Sequence, residues 1–161
     1  MPETNQRTGE ITQTERDALR AAIERAVAAH RASGRTGIVA TIVQDDAVVV
    51  SAENEVDQES DPTRHAEMVA LSQATARLGR KDLSDCTLIS TLQPCEMCLA
   101  AMRFAGIRRV IYAATQAEVA GKYFVFPSLN IQNFDAAGES FTYIGGVMER
   151  DVLHLYADGA E

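Results

Sequence analysis

The run RHAEMVALSQ, residues 64–73, sets the strictest condition on how this chain can fold. Ala66, Met68, Val69, Ala70 and Leu71 are what the buried face of a helix wants, yet His65 and Glu67 stand at its head. An imidazole and a carboxylate are costly to bury unless something pairs with them. A fold that buries this helix must therefore carry partners to its N-terminal end. About thirty residues downstream, LQPCEMC offers two thiols, Cys95 and Cys98.

The hydrophobic pattern shows how the two stretches can meet. Leu19, Ala22, Ile23, Ala26 and Val27 recur at helical spacing, which predicts a helix over 14–33 with Thr14 as its cap and Gly34 as its stop. IVATIVQDDAVVVSA reads as two strands turning at Asp45-Asp46. A helix over 65–78 ends before Gly79. CTLIST is a strand, CEMCLAAMRFAG a helix ending near Gly106, and RRVIYAA a strand. Strands alternating with helices after an initial hairpin predict a mixed central sheet of about five strands, covered on both faces in three α/β/α layers. KYFVFPSLNIQNF is apolar, but Pro127 makes it a poor central strand. SFTYI suits a short strand. GVMERDVLHLYA suits a closing amphipathic helix with Val147, Met148, Val152, Leu155 and Tyr156 on one side, after a turn at Gly145-Gly146. The expectation is one domain over 1–161, with a loose tail at 1–12.

Cys95 and Cys98, three apart at a helix start, put both sulfurs on one face. Pro94 suits the first helical position, where its missing N–H costs nothing. A helix N-terminus favours thiolates. Two thiolates and one imidazole make a three-ligand zinc set, as catalytic sites use, with the fourth position left for water. Cys86 or His154 could supply a fourth ligand in principle, although neither has a suggestive spacing. Zinc lowers the pKa of a water bound to it to roughly 7, and a carboxylate beside that water can take its proton. Glu67 has no place in a purely structural zinc site. Other polar residues read more simply: His30 as a partner of a helix C-terminus, Cys86 as a small apolar filler, His154 as surface or pocket rim.

Composition narrows the partners. A formal net charge of -8 and a pI of about 4.9 leave no electrostatic footprint for nucleic acid or an anionic membrane. Three cysteines argue against a disulfide framework, and no apolar run reaches membrane-spanning length. A reducing cytoplasm is the simplest expected compartment.

His-Ala-Glu followed by Pro-Cys-x-x-Cys resembles the zinc-binding cytidine and deoxycytidylate deaminase superfamily. NEVDQESDPTRHAEMVAL and TLQPCEMCLAAMRFAGIRRVIYAA look most like the branch of guanine deaminase, cytosine deaminase and tRNA adenosine deaminase. The resemblance covers roughly residues 15–122. It implies a cytidine deaminase-like fold, one zinc ion on His65, Cys95 and Cys98, and Glu67 as the group that takes a proton from water, gives it to a ring nitrogen and protonates departing ammonia. It further implies that the backbone N–H groups of Ala66 and Cys95 bind the ring, that a carbonyl near Leu92-Gln93 faces the leaving amine, and that Asn54, eleven residues before His65, hydrogen-bonds the base. Glu118 is the nearest match to an acidic purine-handling residue, against an ordinary surface role.

The chain also departs from the pattern. GIVAT at 37–41 keeps only Ala40 of the family's usual first-strand stretch, and Glu53 replaces its usual His or Trp. The segment 123–161 matches no branch. By resemblance it closes the pocket, so that Phe124 and Phe126 either stack on a flat base or pack in a core or dimer contact. The leading expectation is therefore a zinc-dependent hydrolase that deaminates a free amino-substituted heterocycle of guanine or cytosine type, and a homodimer by analogy. The rivals are a tRNA-editing adenosine deaminase and a non-catalytic zinc module. The first lacks the basic C-terminal helix it would use, since Arg150 stands alone there among Glu149, Asp151 and Asp158.

Overall fold

The computed structural model describes residues 10–159. Helix α1 spans Gln13–Ser33 and is capped by Thr12 rather than Thr14. The reason is the Thr-x-x-Glu spacing. Thr12 Oγ1 accepts from the Glu15 N–H at 3.1 Å while the Glu15 carboxylate accepts from the Thr12 N–H at 2.9 Å. The expected loose tail covers 1–12. Its first nine residues lie outside those described, but Ile11 packs on the core and the Glu10 carbonyl accepts from Arg109.

The hairpin forms as expected, with β1 over Val39–Gln44 and β2 over Ala47–Glu53. Asp45 takes a left-handed φ of 54°, which a short side chain that can bond its own backbone tolerates. A short helix α2, Val56–Glu59, precedes α3, Ala66–Leu78. Then follow β3 (Cys86–Leu92), α4 (Glu96–Phe104), β4 (Arg109–Ala114), α5 (Ile131–Ala137) and β5 (Thr142–Ile144). The sheet order is β2-β1-β3-β4-β5. β1 is antiparallel to both of its neighbours, while β3, β4 and β5 run parallel. The mixed five-strand sheet with helices on both sides is the architecture the alternating pattern implies. No helix among the described residues is long and apolar enough to cross a membrane.

Strand alternation sorts the side chains into two cores. Ala40, Ile42, Leu88, Val110 and Tyr112 face α3 and α4, where Val69, Ala70, Ala74, Leu99 and Met102 are buried. Val39, Val43, Ile89 and Ile111 face α1, against Leu19, Ile23 and Ala26. The same alternation carries two hydroxyls along β3. Ser90 points toward α3 and bonds Glu67, while Thr91 points to the other face and bonds Tyr156.

The C-terminal segment differs from expectation. No single helix covers GVMERDVLHLYA; the chain makes two 3₁₀ turns, Glu149–Asp151 and Leu153–Leu155. Left-handed conformations at Gly146 and Met148 break the helical path. Val147, Val152, Leu155 and Tyr156 are nonetheless buried on the α1 face, as the apolar pattern requires. Burying a side chain such as Val152 or Leu155 contributes about 1.5–3 kcal/mol whichever backbone carries it. KYFVFPSLNIQNF likewise forms a 3₁₀ turn and then α5, and no strand.

Candidate active site

Two helix N-termini converge here. His65 caps α3 and Cys95 caps α4, both with extended backbones. Pro94 therefore lies one residue before the cap, outside the first helical position that the sequence suggested for it. Neither cap residue makes a side-chain capping hydrogen bond, and the two side chains face each other. The approach to His65 is locked by a compact loop. The Glu55 N–H donates to the Arg64 carbonyl, Arg64 pairs with the Glu55 carboxylate at 2.9 Å, and the Arg64 N–H donates to the Asp61 carbonyl.

His65 Nδ1 lies 3.5 Å from Cys95 Sγ and 3.7 Å from Cys98 Sγ. Tetrahedral zinc with Zn–S near 2.3 Å and Zn–N near 2.0–2.1 Å requires N···S edges of roughly 3.5–3.6 Å. The donor set therefore fits zinc in both chemistry and spacing. All three donor atoms lie within 4.8 Å of one another, the one such group among the described residues. Cys86 and His154 are not in it: Cys86 is buried beside Asp85, and His154 is exposed. Three protein ligands is the number catalytic zinc sites use.

Electrostatics within the trio set its two thiols apart. The hydrogen bond from Cys98 draws the Cys95 thiol down to about 5 against the opposing effect of burial, and His65 acts in the same direction. Donating that bond, together with burial, pushes the Cys98 thiol up. Its bond to Cys95 likewise raises His65, against desolvation.

Glu67 sits in the first turn of α3, only 4% exposed. Its Oε2 is 3.4 Å from Cys98 Sγ, and its Oε1 is 2.9 Å from the Ser90 hydroxyl. Burial, followed by the nearby Cys95 charge, pushes its carboxyl above the usual value. A raised pKa suits a group that must both accept and release a proton near neutrality. Ser90 carries no sequence signal of this role, because a Ser in a strand reads as filler until the opposite helix is placed.

A cavity of about 680 Å³ opens onto the trio, within the size range of small-molecule sites. Asn54, His65, Ala66, Glu67, Gln93 and Cys95 line it. Asn54 follows β2, and its Oδ1 accepts from the Val56 N–H at 2.9 Å, so it makes a turn at a strand end and also faces the cavity. Gln93 is buried, but its side chain is turned to Gln116, whose N–H donates to it at 2.8 Å. The Leu92 carbonyl accepts from Ser90 at 2.7 Å. Ala66 opens α3, where its N–H has no intrahelical partner.

Three expected contacts fall elsewhere. Glu118 is exposed and not in the cavity wall. Phe124 is buried, but behind the site against Cys95, Cys98, Met68 and Met97. Phe126 is 57% exposed. The wall takes Lys122, Tyr123 and Val125. Through these side chains the C-terminal segment does reach the cavity.

The profile of the cytidine and deoxycytidylate deaminase zinc-binding region matches residues 12–114. A tRNA-specific adenosine deaminase of Aquifex aeolicus is 38% identical over 102 residues, 60% of this chain and 68% of that protein. Guanine deaminase of Bacillus subtilis is 41% identical over 81 residues, 50% of this chain and 52% of that protein. The chain thus spans about half to two thirds of the length of these relatives. Among solved structures, guanine deaminase from Nitrosomonas europaea superposes with a TM-score of 0.76 at 22% identity, covering 95% of this chain and 85% of that one. A tRNA:A34 deaminase superposes with a TM-score of 0.69 at 27% identity, covering 84% and 99%. With its profile matched over more than half its length and a donor trio placed for the metal, the chain belongs to the zinc-binding cytidine and deoxycytidylate deaminase family, whose members are hydrolytic deaminases.

Proposed function

We propose that the protein deaminates a free amino-substituted heterocycle of guanine or cytosine type, with Glu67 as the catalytic proton carrier. The observation that carries this reading is the buried Glu67 carboxylate, held by Ser90 beside the His65, Cys95 and Cys98 donors, in a cavity that Lys122, Tyr123 and Val125 narrow. His65, Cys95 and Cys98 would hold zinc, which when bound supplies the Lewis acidity that brings the pKa of water to about 7.

The residues divide the work as follows. Glu67 takes a proton from the attacking water and delivers it to a ring nitrogen of the substrate, as the new C–O bond forms at the amino-bearing carbon. Glu67 then takes the remaining hydroxyl proton and gives it to the amino group. The C–N bond breaks, ammonia leaves, and a carbonyl stands in its place. Asn54, oriented by the Val56 N–H on its Oδ1, offers its amide to the base, and the N–H groups of Ala66 and Cys95 meet a ring oxygen or nitrogen. Tyr123 supplies an aromatic wall.

One observation favours a second reading. The similarity to the Aquifex protein extends over more of both chains than that to the Bacillus guanine deaminase, which supports adenosine in tRNA as substrate. The net charge of -8 opposes it, because grip on an RNA stem-loop depends on cationic contacts. The reading also includes a cytoplasmic homodimer, for which Phe104, 92% exposed at the end of α4, is the apolar surface to test by sedimentation.

The deciding experiment is ammonia release from a panel of free bases, nucleosides and a tRNA anticodon stem-loop, with Glu67→Ala as control. Turnover of a free base that is lost in the variant supports the proposal. Turnover of the stem-loop alone establishes the second reading. Stoichiometric zinc with no turnover of any substrate would leave a non-catalytic module.

A further inference from the structure

Glu96 has no part in the chemistry above, yet its environment is unusual. It is the first residue of α4, next to Cys95, and only 8% exposed. One carboxylate oxygen, Oε1, accepts two consecutive backbone N–H groups, from Val125 at 2.8 Å and from Phe126 at 3.0 Å. The other, Oε2, is buried without a hydrogen-bond partner. A carboxylate is expensive to bury, and this one has no salt bridge among the described residues to offset the cost. What holds it in place is the pair of charge-assisted bonds to the strap, helped by the N-terminal end of α4.

The strap is the part of the C-terminal segment that reaches the cavity. Phe124, between the cavity-facing Tyr123 and Val125, packs inward on Cys95 and Cys98. Phe124 therefore seats the strap by apolar contact, and Glu96 clamps it one residue further on. We infer that Glu96 is a positioning residue that latches the strap 122–126 across the cavity and so confines the site to flat, unsubstituted bases. The latch rests on the deaminase reading and deepens it, by assigning the preference for a free base over its nucleoside to a contact outside the reacting groups.

The test compares Glu96→Ala and Glu96→Gln with the parent protein. Hydrogen exchange at the Val125 and Phe126 amides reads the latch without any turnover. In Glu96→Ala both amides should exchange about ten- to hundredfold faster, the loss expected for bonds to a charged acceptor. Glu96→Gln keeps an oxygen acceptor and should restore part of the protection. It also carries both readouts if Glu96→Ala does not fold. In kinetics, the alanine variant should raise KM for the base about tenfold with kcat nearly held, narrow the preference for base over nucleoside, and keep its zinc. Unchanged amide exchange in Glu96→Ala overturns the latch. So does a fall in kcat at constant KM, or loss of zinc, either of which would make Glu96 a support of the metal corner. If exchange rises as expected in a protein that turns over no heterocycle, the latch stands and the deaminase reading falls.

Discussion

The Ser90 hydroxyl lies 2.9 Å from Glu67 Oε1, and the same hydroxyl lies 2.7 Å from the Leu92 carbonyl. One O–H proton serves only one acceptor at a time. When Glu67 is ionised, Ser90 donates to it. When Glu67 is protonated, its own O–H donates to Ser90 Oγ, and Ser90 turns to Leu92. Both protonation states of Glu67 thus find a partner, which is what the proposed proton carrier requires. Ser90→Ala should fold and bind zinc but lose roughly ten- to hundredfold in kcat, the worth of a hydrogen bond to a charged group. Steady-state kinetics beside metal analysis check this. A variant with undiminished kcat would sink the role given to Ser90.

The donor trio makes a prediction about metal content. Cys98 is fully buried, and its sulfur touches both His65 and Glu67. Cys98→Ser should reduce bound zinc from about one per chain to a small fraction, because a hydroxyl at that position does not ionise as a thiol does. Chelation of the parent protein should lower its Tm, since a ligand that binds only the folded state stabilises it by about 2.7 kcal/mol at a hundredfold excess over Kd. Atomic absorption and a thermal melt with and without chelator decide it. Stoichiometric zinc in Cys98→Ser would overturn the ligand assignment.

The meeting of His65, Glu67, Cys95 and Cys98 is legible in sequence because a zinc set needs particular atoms at particular spacings, and two helix starts suffice to bring them together. The sheet is legible because strand alternation and helical period come from local apolar patterns. Thr12 and Thr14 have equal capping propensity, and Glu15, three residues after Thr12, decides between them. The closing segment was readable in burial but not in backbone. Val152, Leu155 and Tyr156 need an apolar surface to meet, and 3₁₀ turns deliver them as well as an α-helix. Phe124 packs in a core, one of the two readings open to it, and the course of the strap past the cavity is held by the Glu96 clamp. That contact pairs residues far apart in the chain and leaves no local pattern.

The same long-range character governs Tyr156. Its hydroxyl donates to the Gly37 carbonyl at 2.6 Å and meets the Thr91 hydroxyl at 2.8 Å, while Thr91 accepts from the Val39 N–H at 3.1 Å. The result is a buried relay from the C-terminal turns to the chain entering β1, where Gly37 lines the cavity. Tyr156→Phe leaves the Gly37 carbonyl unpartnered and costs about 1–3 kcal/mol. For a chain of this size that lowers Tm by roughly 2–12 °C. A scanning melt checks it, and an unshifted Tm would show that the relay contributes nothing net.

Glu15 and Arg109 yield a pH dependence. Arg109 donates through Nε to Oε2 at 2.7 Å and through Nη2 to Oε1 at 2.9 Å, a bidentate pair joining the start of α1 to β4. Burial opposes ionisation of Glu15, but the bonds from Arg109 and from the Thr12 N–H outweigh it, so its carboxyl lies below the ordinary 4.5. A depressed folded pKa means that the unfolded chain takes up the proton first as pH falls. The pair's contribution is therefore complete above about pH 4.5 and is lost as pH drops through the folded value. Glu15→Gln should be less stable than the parent by about 1.5–3 kcal/mol at pH 7, and the gap should narrow as pH falls below 4.5. Urea unfolding at pH 7 and at pH 3.5 measures both limbs. An equal deficit at the two pH values would assign the loss to packing or to the capping of α1 instead of to the ion pair.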